Sequence, residues 1–165
     1  SDLDTELGRW LATRNTMLRI GRNLFVHAGL SARLLERNLE MDTLNARMSE
    51  GLYRTSKERR EDPTLEFLYR SAGPVWYRGM VCTDEKYDPL TPEQTDALLR
   101  RYDADRLLIG HTIFPDISTF HDGRVIAVNV QNELNRRKNR GRAVLIEGSR
   151  ISVIGNRGVK RVLEE

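Results

Sequence analysis

The spacing of apolar residues along the chain alternates between a helical period and a strand period. Residues 2–13 carry leucine and tryptophan at helical spacing, which predicts a short amphipathic helix with Ser1 or Asp2 as its cap. Residues 16–20 and 23–27 are short and rich in apolar side chains, with a glycine and an arginine between them. They are therefore predicted to be two strands joined by a tight turn.

The next region, residues 31–72, is strongly charged and carries only a weak apolar stripe. We interpret it as a helical insert that Pro63 breaks into two helices. Within it, residues 54–62 are almost all polar and are predicted to form an exposed loop. Residues 73–80 follow as an apolar, aromatic segment, in which Trp76 is expected to pack into the core.

The clearest helix signal lies in residues 89–102. Thr91 is the predicted N-cap, Pro92 takes the first helical position, and Gln94 completes a capping box. Such local signals fix where a helix begins more firmly than apolar spacing alone does.

From residue 105 onward the pattern indicates strands. Hairpin turn signals at Asp122-Gly123 and Gly148-Ser149 join them in pairs. The tail, residues 157–165, is expected to add a short helix. The order of elements predicts an α+β domain. The predicted strands are residues 106–109, 117–120, 124–130, 143–147 and 151–154.

Composition narrows the possible functions. The chain has 165 residues, 39% of them hydrophobic and 31% charged, with a formal net charge of +3. This weak basicity suits an anionic substrate but is too small to indicate nucleic acid as a partner. The single cysteine excludes an internal disulfide. No apolar run long enough to span a membrane and no signal peptide are visible, so we expect no membrane partner and a cytoplasmic location.

Two of the three histidines share one setting. His27 and His111 each follow a short apolar run and precede small residues, which places them where a strand ends. Open sheets bind ligands at such carboxyl ends, and imidazole is a common ligand of zinc, iron and manganese. A histidine in this position can equally be structural, and the separation of the two carries no local motif.

Three segments resemble motifs of the calcineurin-like metallophosphoesterases, in the same order and at similar separations. Segment 24–30 (LFVHAGL) resembles their histidine-glycine motif, and segment 108–112 (LIGHT) resembles their Gly-His-Thr motif. Between them, segment 73–79 (GPVWYRG) resembles the tryptophan segment of bacterial Shewanella-like protein phosphatases, a branch related to serine/threonine phosphatases. The strands of residues 124–154 resemble the family's closing β-meander.

This resemblance implies a fold and a cofactor. Residues 1–165 would be the C-terminal portion of one metallophosphoesterase domain, the second half of a four-layer αββα fold, with residues 31–72 as a charged helical insert. Two divalent metal ions (manganese, iron or zinc) would activate a bridging water. His27 and His111 would both bind the second ion.

The family's other metal motifs, of the forms Gly-Asp-x-His, Gly-Asp-x-x-Asp-Arg-Gly and Gly-Asn-His-Glu, are absent from the chain. We therefore expect either a fragment of a longer enzyme, with its general acid upstream, or a natural pseudo-enzyme half. In both cases the chain alone would bind metal weakly and lack activity, because two imidazoles supply only part of a metal site. An apolar face left uncovered would favour self-association.

Several other residues are candidates for roles at or near such a site. Arg78 is the candidate substrate clamp, because its planar fork suits phosphate oxygens, and the alternatives are that it stacks on Trp76 or Tyr77 or pairs with a carboxylate. Thr112 would hold the loop after His111 and orient that ligand, and Asn129 lies where relatives often have aspartate. His121 is expected to be an exposed hairpin residue. The basic run 135–142 is predicted to be a loop between strands.

The predicted function is metal-dependent hydrolysis of a phosphoprotein or a small phosphomonoester. Two alternatives stay open. One is a non-catalytic module that holds an anionic partner with the basic loop, and the other is a nucleotide hydrolase similar to the diadenosine tetraphosphatases.

Overall fold

The computed structural model describes residues 4–164, apart from the side chains at positions 132, 159 and 160. Seven α-helices and eight strands fall within this part of the chain. The helices are α1 (Glu6–Ala12), α2 (Ala32–Arg37), α3 (Met41–Leu52), α4 (Ser56–Glu61), α5 (Pro63–Tyr69), α6 (Pro92–Arg101) and α7 (Asn132–Arg137). The strands are β1 (Met17–Ile20), β2 (Asn23–Val26), β3 (Arg106–Ile109), β4 (Ser118–Phe120), β5 (Val125–Ala127), β6 (Ala143–Glu147), β7 (Arg150–Gly155) and β8 (Gly158–Glu164).

A mixed five-stranded sheet of order β1-β2-β3-β5-β4 forms the centre of the domain. Its three middle strands run parallel: β2 pairs with β3, and β3 pairs with β5. The outer strands β1 and β4 are antiparallel to their neighbours. All four residues of β3 are buried, as expected of a strand in the middle of a sheet covered on both faces.

Helices cover one face of this sheet. Leu24 and Leu107 are fully buried there, together with apolar residues of the helices such as Leu44 of α3, Leu68 of α5 and Leu98 of α6. Burial of each such side chain stabilises the fold by about 1.5–3 kcal/mol, so the weak apolar stripe of residues 31–72 still suffices to attach its helices.

A second sheet, of order β6-β7-β8, packs against the other face. Leu108 and Ile126 of the central sheet contact Ile151 and Val153 of β7 in a separate apolar cluster. Towards β1 this face is open: a depression of about 670 Å³ is lined mainly by apolar residues, Leu18 among them, and reaches His27. The expected self-association through an uncovered apolar face stays a prediction.

The predicted fold class, an α+β domain that is the second half of a four-layer αββα fold, is wrong. The central sheet has parallel strands in its middle, which makes this an α/β arrangement. The expected meander of residues 124–154 is divided, because β5 belongs to the central sheet and β6 and β7 to the second. The tail expected to be helical is strand β8, which pairs with β7.

Other elements agree with their local signals. Helix α6 begins with the capping box of Thr91 and Gln94, and the tight turn between β1 and β2 is confirmed. The first helix has Thr5 as its N-cap; the predicted caps Ser1 and Asp2 lie outside the described residues.

The prediction of a loop over residues 54–62 is wrong, since α4 occupies most of it. Thr55 and Glu58 form a capping box at its start, with the Glu58 side chain accepting from the Thr55 amide at 2.6 Å. These hydrogen bonds satisfy amides at the helix start that would otherwise lack partners, so the helix forms without an apolar stripe.

Asp62 links helices α3 and α5, and its replacement should lower the stability of the fold. Its carboxylate accepts from the amides of Thr64 and Leu65 at 2.9 and 3.0 Å as the N-cap of α5, and it also binds Arg47 of α3. The hydrogen bond from Arg47 lowers the pKa of Asp62 below its ordinary value of 3.8, and the amides lower it further. We expect Asp62→Ala to reduce the free energy of unfolding by about 1–2 kcal/mol at pH 7.

Asp62→Asn is the matched control, because asparagine keeps an oxygen for the cap but loses the charge. A carboxyl whose pKa is lower when folded contributes stability above its unfolded pKa and loses it as the pH falls through the folded value. The difference in stability between wild type and Asp62→Asn should therefore shrink below about pH 4. Urea unfolding at pH 7 and pH 3 measures it; an unchanged difference would contradict the ion pair.

None of the helices in residues 4–164 is both long and apolar enough to cross a bilayer.

Candidate functional site

The two histidines singled out in the sequence lie side by side. His27 directly follows β2 and His111 comes two residues after β3, and these strands are parallel neighbours. The Gly110 amide donates to the His27 carbonyl at 2.8 Å, which extends the pairing beyond the strands. His27 Nε2 lies 3.2 Å from His111 Nδ1, so one ring donates a hydrogen bond to the other. The sheet edge thus brings together residues 84 positions apart in the chain.

The surroundings of His111 differ from those of an ordinary surface histidine. Burial lowers its pKa below the ordinary 6.5, and the nearby Arg78 guanidinium and His27 lower it further. This lowering favours the neutral form of the ring. Its Nε2 is buried and has no hydrogen-bond partner among the described residues. Its backbone is left-handed, with φ of 57°, an uncommon conformation that is found more often at functional sites.

Arg78, the predicted substrate clamp, lies at the same site. Its Nη1 donates a long hydrogen bond of 3.4 Å to Thr112 Oγ1, directly after His111. Thr112 is also held by its own amide, which donates to the Gly110 carbonyl at 2.6 Å. A guanidinium, a hydroxyl and two imidazoles therefore lie near one another at this edge of the sheet. The roles given to Arg78 and Thr112 stay predictions.

Trp76 was expected in the core but is 55% exposed. Its ring meets the His111 ring edge-on, with centroids 5.5 Å apart and planes at 87°. Hydrogen bonds to the residues after β2 hold the segment that carries Trp76: the amides of Ala28 and Gly29 both donate to the Pro74 carbonyl. Sequence reasoning missed this residue because apolar character alone does not distinguish a core tryptophan from one beside a site.

Asn129 comes two residues after β5, the third parallel strand, and so lies at the same edge of the sheet as His27 and His111. A Cβ built on Gly110 would lie 4.0 Å from Asn129 Cβ, so the residue lies next to the loop of His111. Its role toward the site stays a prediction.

His121 is not the exposed hairpin residue that was expected. It is half-buried, with Nε2 3.0 Å from the Met80 carbonyl and Nδ1 3.3 Å from Thr95 Oγ1. The ring links the β4–β5 turn to α6 and to the segment after Trp76. Both ring nitrogens are engaged, which indicates a structural role.

The basic run 135–142 is not the loop that was predicted, since α7 includes its first three residues. Several of its cations already have partners: Arg137 pairs with Glu133, Arg140 with the Asn135 side chain, and Arg142 with Asp116. A run whose charges are partly neutralised in this way is a weaker anion site than the sequence suggested.

The residues at the site do not make a metal centre by themselves. Among residues 4–164, no group of three or more histidine, cysteine, aspartate or glutamate side chains is placed to hold an ion. His27 and His111 offer two donors, whereas zinc sites in proteins usually have three or four protein ligands. That His27 and His111 act as metal ligands therefore stays a prediction.

Comparison with solved structures finds cold-active protein tyrosine phosphatases. No family profile and no curated protein matches the chain. The chain is similar to the solved structure of the cold-active protein tyrosine phosphatase of a psychrophilic Shewanella species, with 28% identity over 98% of its length and a TM-score of 0.86. A second structure of a cold-active protein tyrosine phosphatase matches at 28% identity over 97%, with a TM-score of 0.85. The chain spans 45–46% of the length of these structures.

These matches correct the family inferred from the sequence. The solved structures that the chain resembles are named as protein tyrosine phosphatases and not as calcineurin-like metallophosphoesterases. The prediction of two divalent ions of manganese, iron or zinc as the cofactor is also wrong. Neither the names of these structures nor the ligand set of the described residues supports such ions. We assign no metal cofactor to this chain.

Proposed function

We propose that the protein to which this chain belongs hydrolyses phosphomonoesters of proteins, with phosphotyrosine as the first substrate class to test. The observation that carries this proposal is the similarity to a protein tyrosine phosphatase, at 28% identity across 97–98% of this chain. Because the chain spans less than half the length of those structures, the activity is proposed for the whole protein.

The cluster at the sheet edge supports the same function. A phosphoryl group carries up to two negative charges, and a guanidinium matches its oxygens with a rigid fork of donors. Arg78 supplies this fork and the Thr112 hydroxyl lies beside it. We assign Arg78 to the binding of phosphoryl oxygens, and His27 and His111 to the position next to the phosphorus atom.

The test is phosphate release by the longest natural polypeptide that contains this chain. Phosphotyrosine and phosphoserine peptides are compared with para-nitrophenyl phosphate, a phosphodiester and diadenosine tetraphosphate. Each is assayed with a chelator and with added divalent cations, so that the result does not depend on an assumed cofactor. We expect the phosphotyrosine peptide to be hydrolysed fastest. Hydrolysis of the dinucleotide alone, or of nothing under any condition, would overturn the proposal.

A binding experiment tests the site on this chain directly. Its three histidines give separate imidazole signals in NMR, and the protein is titrated with inorganic phosphate. We expect the signals of His27 and His111 to shift and that of His121 to stay, because the last ring is engaged with Met80 and Thr95. Equal response of all three would mean that phosphate does not bind at the sheet edge.

A further inference from the structure

A broad groove adjoins the candidate site and is unusually basic. It has a volume of about 730 Å³, and four of the side chains that line it are cations, against one carboxylate, Asp88. Those cations are Arg33, Arg70, Arg78 and Lys86. Two smaller depressions of about 340 and 310 Å³ border it, and both also reach Arg70. We call these three depressions together the basic groove.

The charge of the basic groove exceeds that of the whole chain. The two smaller depressions add Arg37, Arg59 and Arg60, with Glu66 as their one carboxylate. Seven cations against two carboxylates leave an excess of five, whereas the complete sequence has an excess of only three. The rest of the chain is therefore net negative. Positive charge concentrated along one cleft raises the local concentration of anions and speeds their binding.

Most of these cations have no carboxylate of their own. Arg70 is 64% exposed and lies 3.9 Å from Glu66, and Lys86 pairs with Asp84. For the other five, no carboxylate among the described residues comes within 4.0 Å. Arg33 and Arg37 lie instead over the Phe67 ring, which holds their stems while the charge stays available.

The basic groove is continuous with the candidate site through two residues. Arg78 lines the groove and also donates to Thr112. Trp76 lines the groove, and its exposed ring also contacts His111. A phosphoryl group held at the sheet edge would thus leave the remainder of its substrate lying over Trp76 towards Arg70.

From this geometry we propose that the basic groove binds an acidic peptide segment, the part of a phosphoprotein that flanks the phosphorylated residue. This inference rests on the proposed function and names its substrate class. The wall contributes aromatic rings, among them Trp76 and Tyr87, and these suit the ring of a phosphotyrosine or an apolar neighbour. The arginines beyond them match aspartate and glutamate carboxylates in bidentate fashion.

The test compares two phosphotyrosine peptides that differ only in their flanks, one with aspartate and glutamate and one with asparagine and glutamine. We expect the whole protein to show about tenfold higher kcat/KM for the acidic peptide at low salt, through a lower KM, with the preference fading as the ionic strength rises. The double variant Arg33→Gln, Arg70→Gln should lose most of this preference. Arg150→Gln, which removes an exposed cation of β7 in the second sheet, should keep it.

Equal kcat/KM for both peptides in the wild type, or a preference that survives the double variant, would overturn the proposal. Failure to hydrolyse any peptide would count against the proposed function and not against the groove. In that case, binding of the two fluorescein-labelled peptides, with a phosphonate in place of the phosphate, to the 165-residue chain decides the question by anisotropy. Tighter, Arg70-dependent binding of single-stranded DNA or RNA than of the acidic peptide would show that the groove serves nucleic acid instead.

Discussion

We expect replacement of either clustered imidazole, as His27→Ala or His111→Asn, to lower the kcat of the proposed phosphotyrosine hydrolysis by about 100-fold or more in the whole protein. His27 Nε2 lies 3.2 Å from His111 Nδ1, at the carboxyl ends of two neighbouring parallel strands. Open α/β sheets bind their ligands at such strand ends. Loss of one ring removes its partner's hydrogen bond and disturbs the position next to Arg78. Asparagine is the better replacement for His111, because it tolerates the left-handed backbone at that position.

His121 provides the matched control, since it is the third histidine and also has a positive φ. His121→Asn removes hydrogen bonds to Met80 and Thr95 away from the imidazole pair, so it should lower the melting temperature and leave kcat within about threefold of wild type. Circular dichroism and thermal unfolding confirm that each variant is folded before steady-state kinetics are compared. If the folded His27→Ala and His111→Asn proteins had wild-type kcat, the imidazole pair would not belong to the active site.

The elements that could be predicted from the sequence are those whose signals are local. The capping box of Thr91 and Gln94 lies within four residues, and the structure places helix α6 there. The run before Gly110 is apolar throughout, and it is a buried strand. The hairpin of β6 and β7 also follows its turn signal at Gly148-Ser149.

The arrangement of the strands could not be read in this way. Whether β3 lies parallel or antiparallel to β2 depends on pairing between residues about 83 positions apart, such as Leu24 with Leu107. Strand period alone does not carry this information. The prediction of a helix over residues 157–165 is wrong for the same reason. Pairing with β7 decides the conformation of this segment, and the sequence of the segment does not show that pairing.

The site was predictable in part. The position of an apolar run before His27 and before His111 indicated a strand end, but not which strands are neighbours. Trp76 and the basic groove around Arg70 depend on how the helical region folds against segment 73–80. The cations of that groove are scattered between positions 33 and 86, so no stretch of sequence shows them as one surface.

Gly73→Ala should be among the most destabilising single substitutions in this chain, at about 3 kcal/mol. A Cβ at this position would lie 2.0 Å from the Leu68 carbonyl oxygen and 2.8 Å from that of Phe67. Both atoms belong to the backbone of α5, whose side chains at these positions are buried, so neither can rotate away. The helix end or the following turn must move to relieve the clash.

The displaced turn leads directly into the candidate site. The Gly73 carbonyl accepts from the amides of Trp76 and Tyr77 at 3.1 and 3.0 Å, so movement of Gly73 shifts Trp76 and, after it, Arg78. We therefore expect the variant to lose phosphate binding, measured by NMR titration, as well as stability, measured by urea unfolding. These two effects have one steric cause.

Gly21→Ala separates this clash from the general cost of adding a side chain to a glycine. Gly21 lies in the turn between β1 and β2 with φ of +58°, and a Cβ there would meet no atom within 4 Å. Its replacement should cost only about 1–2 kcal/mol, from the left-handed backbone, and should leave phosphate binding unchanged. If Gly73→Ala were no more destabilising than Gly21→Ala, the close packing of the turn on the end of α5 would be incorrect, and the position of Trp76 and Arg78 beside the imidazole pair would lose its support.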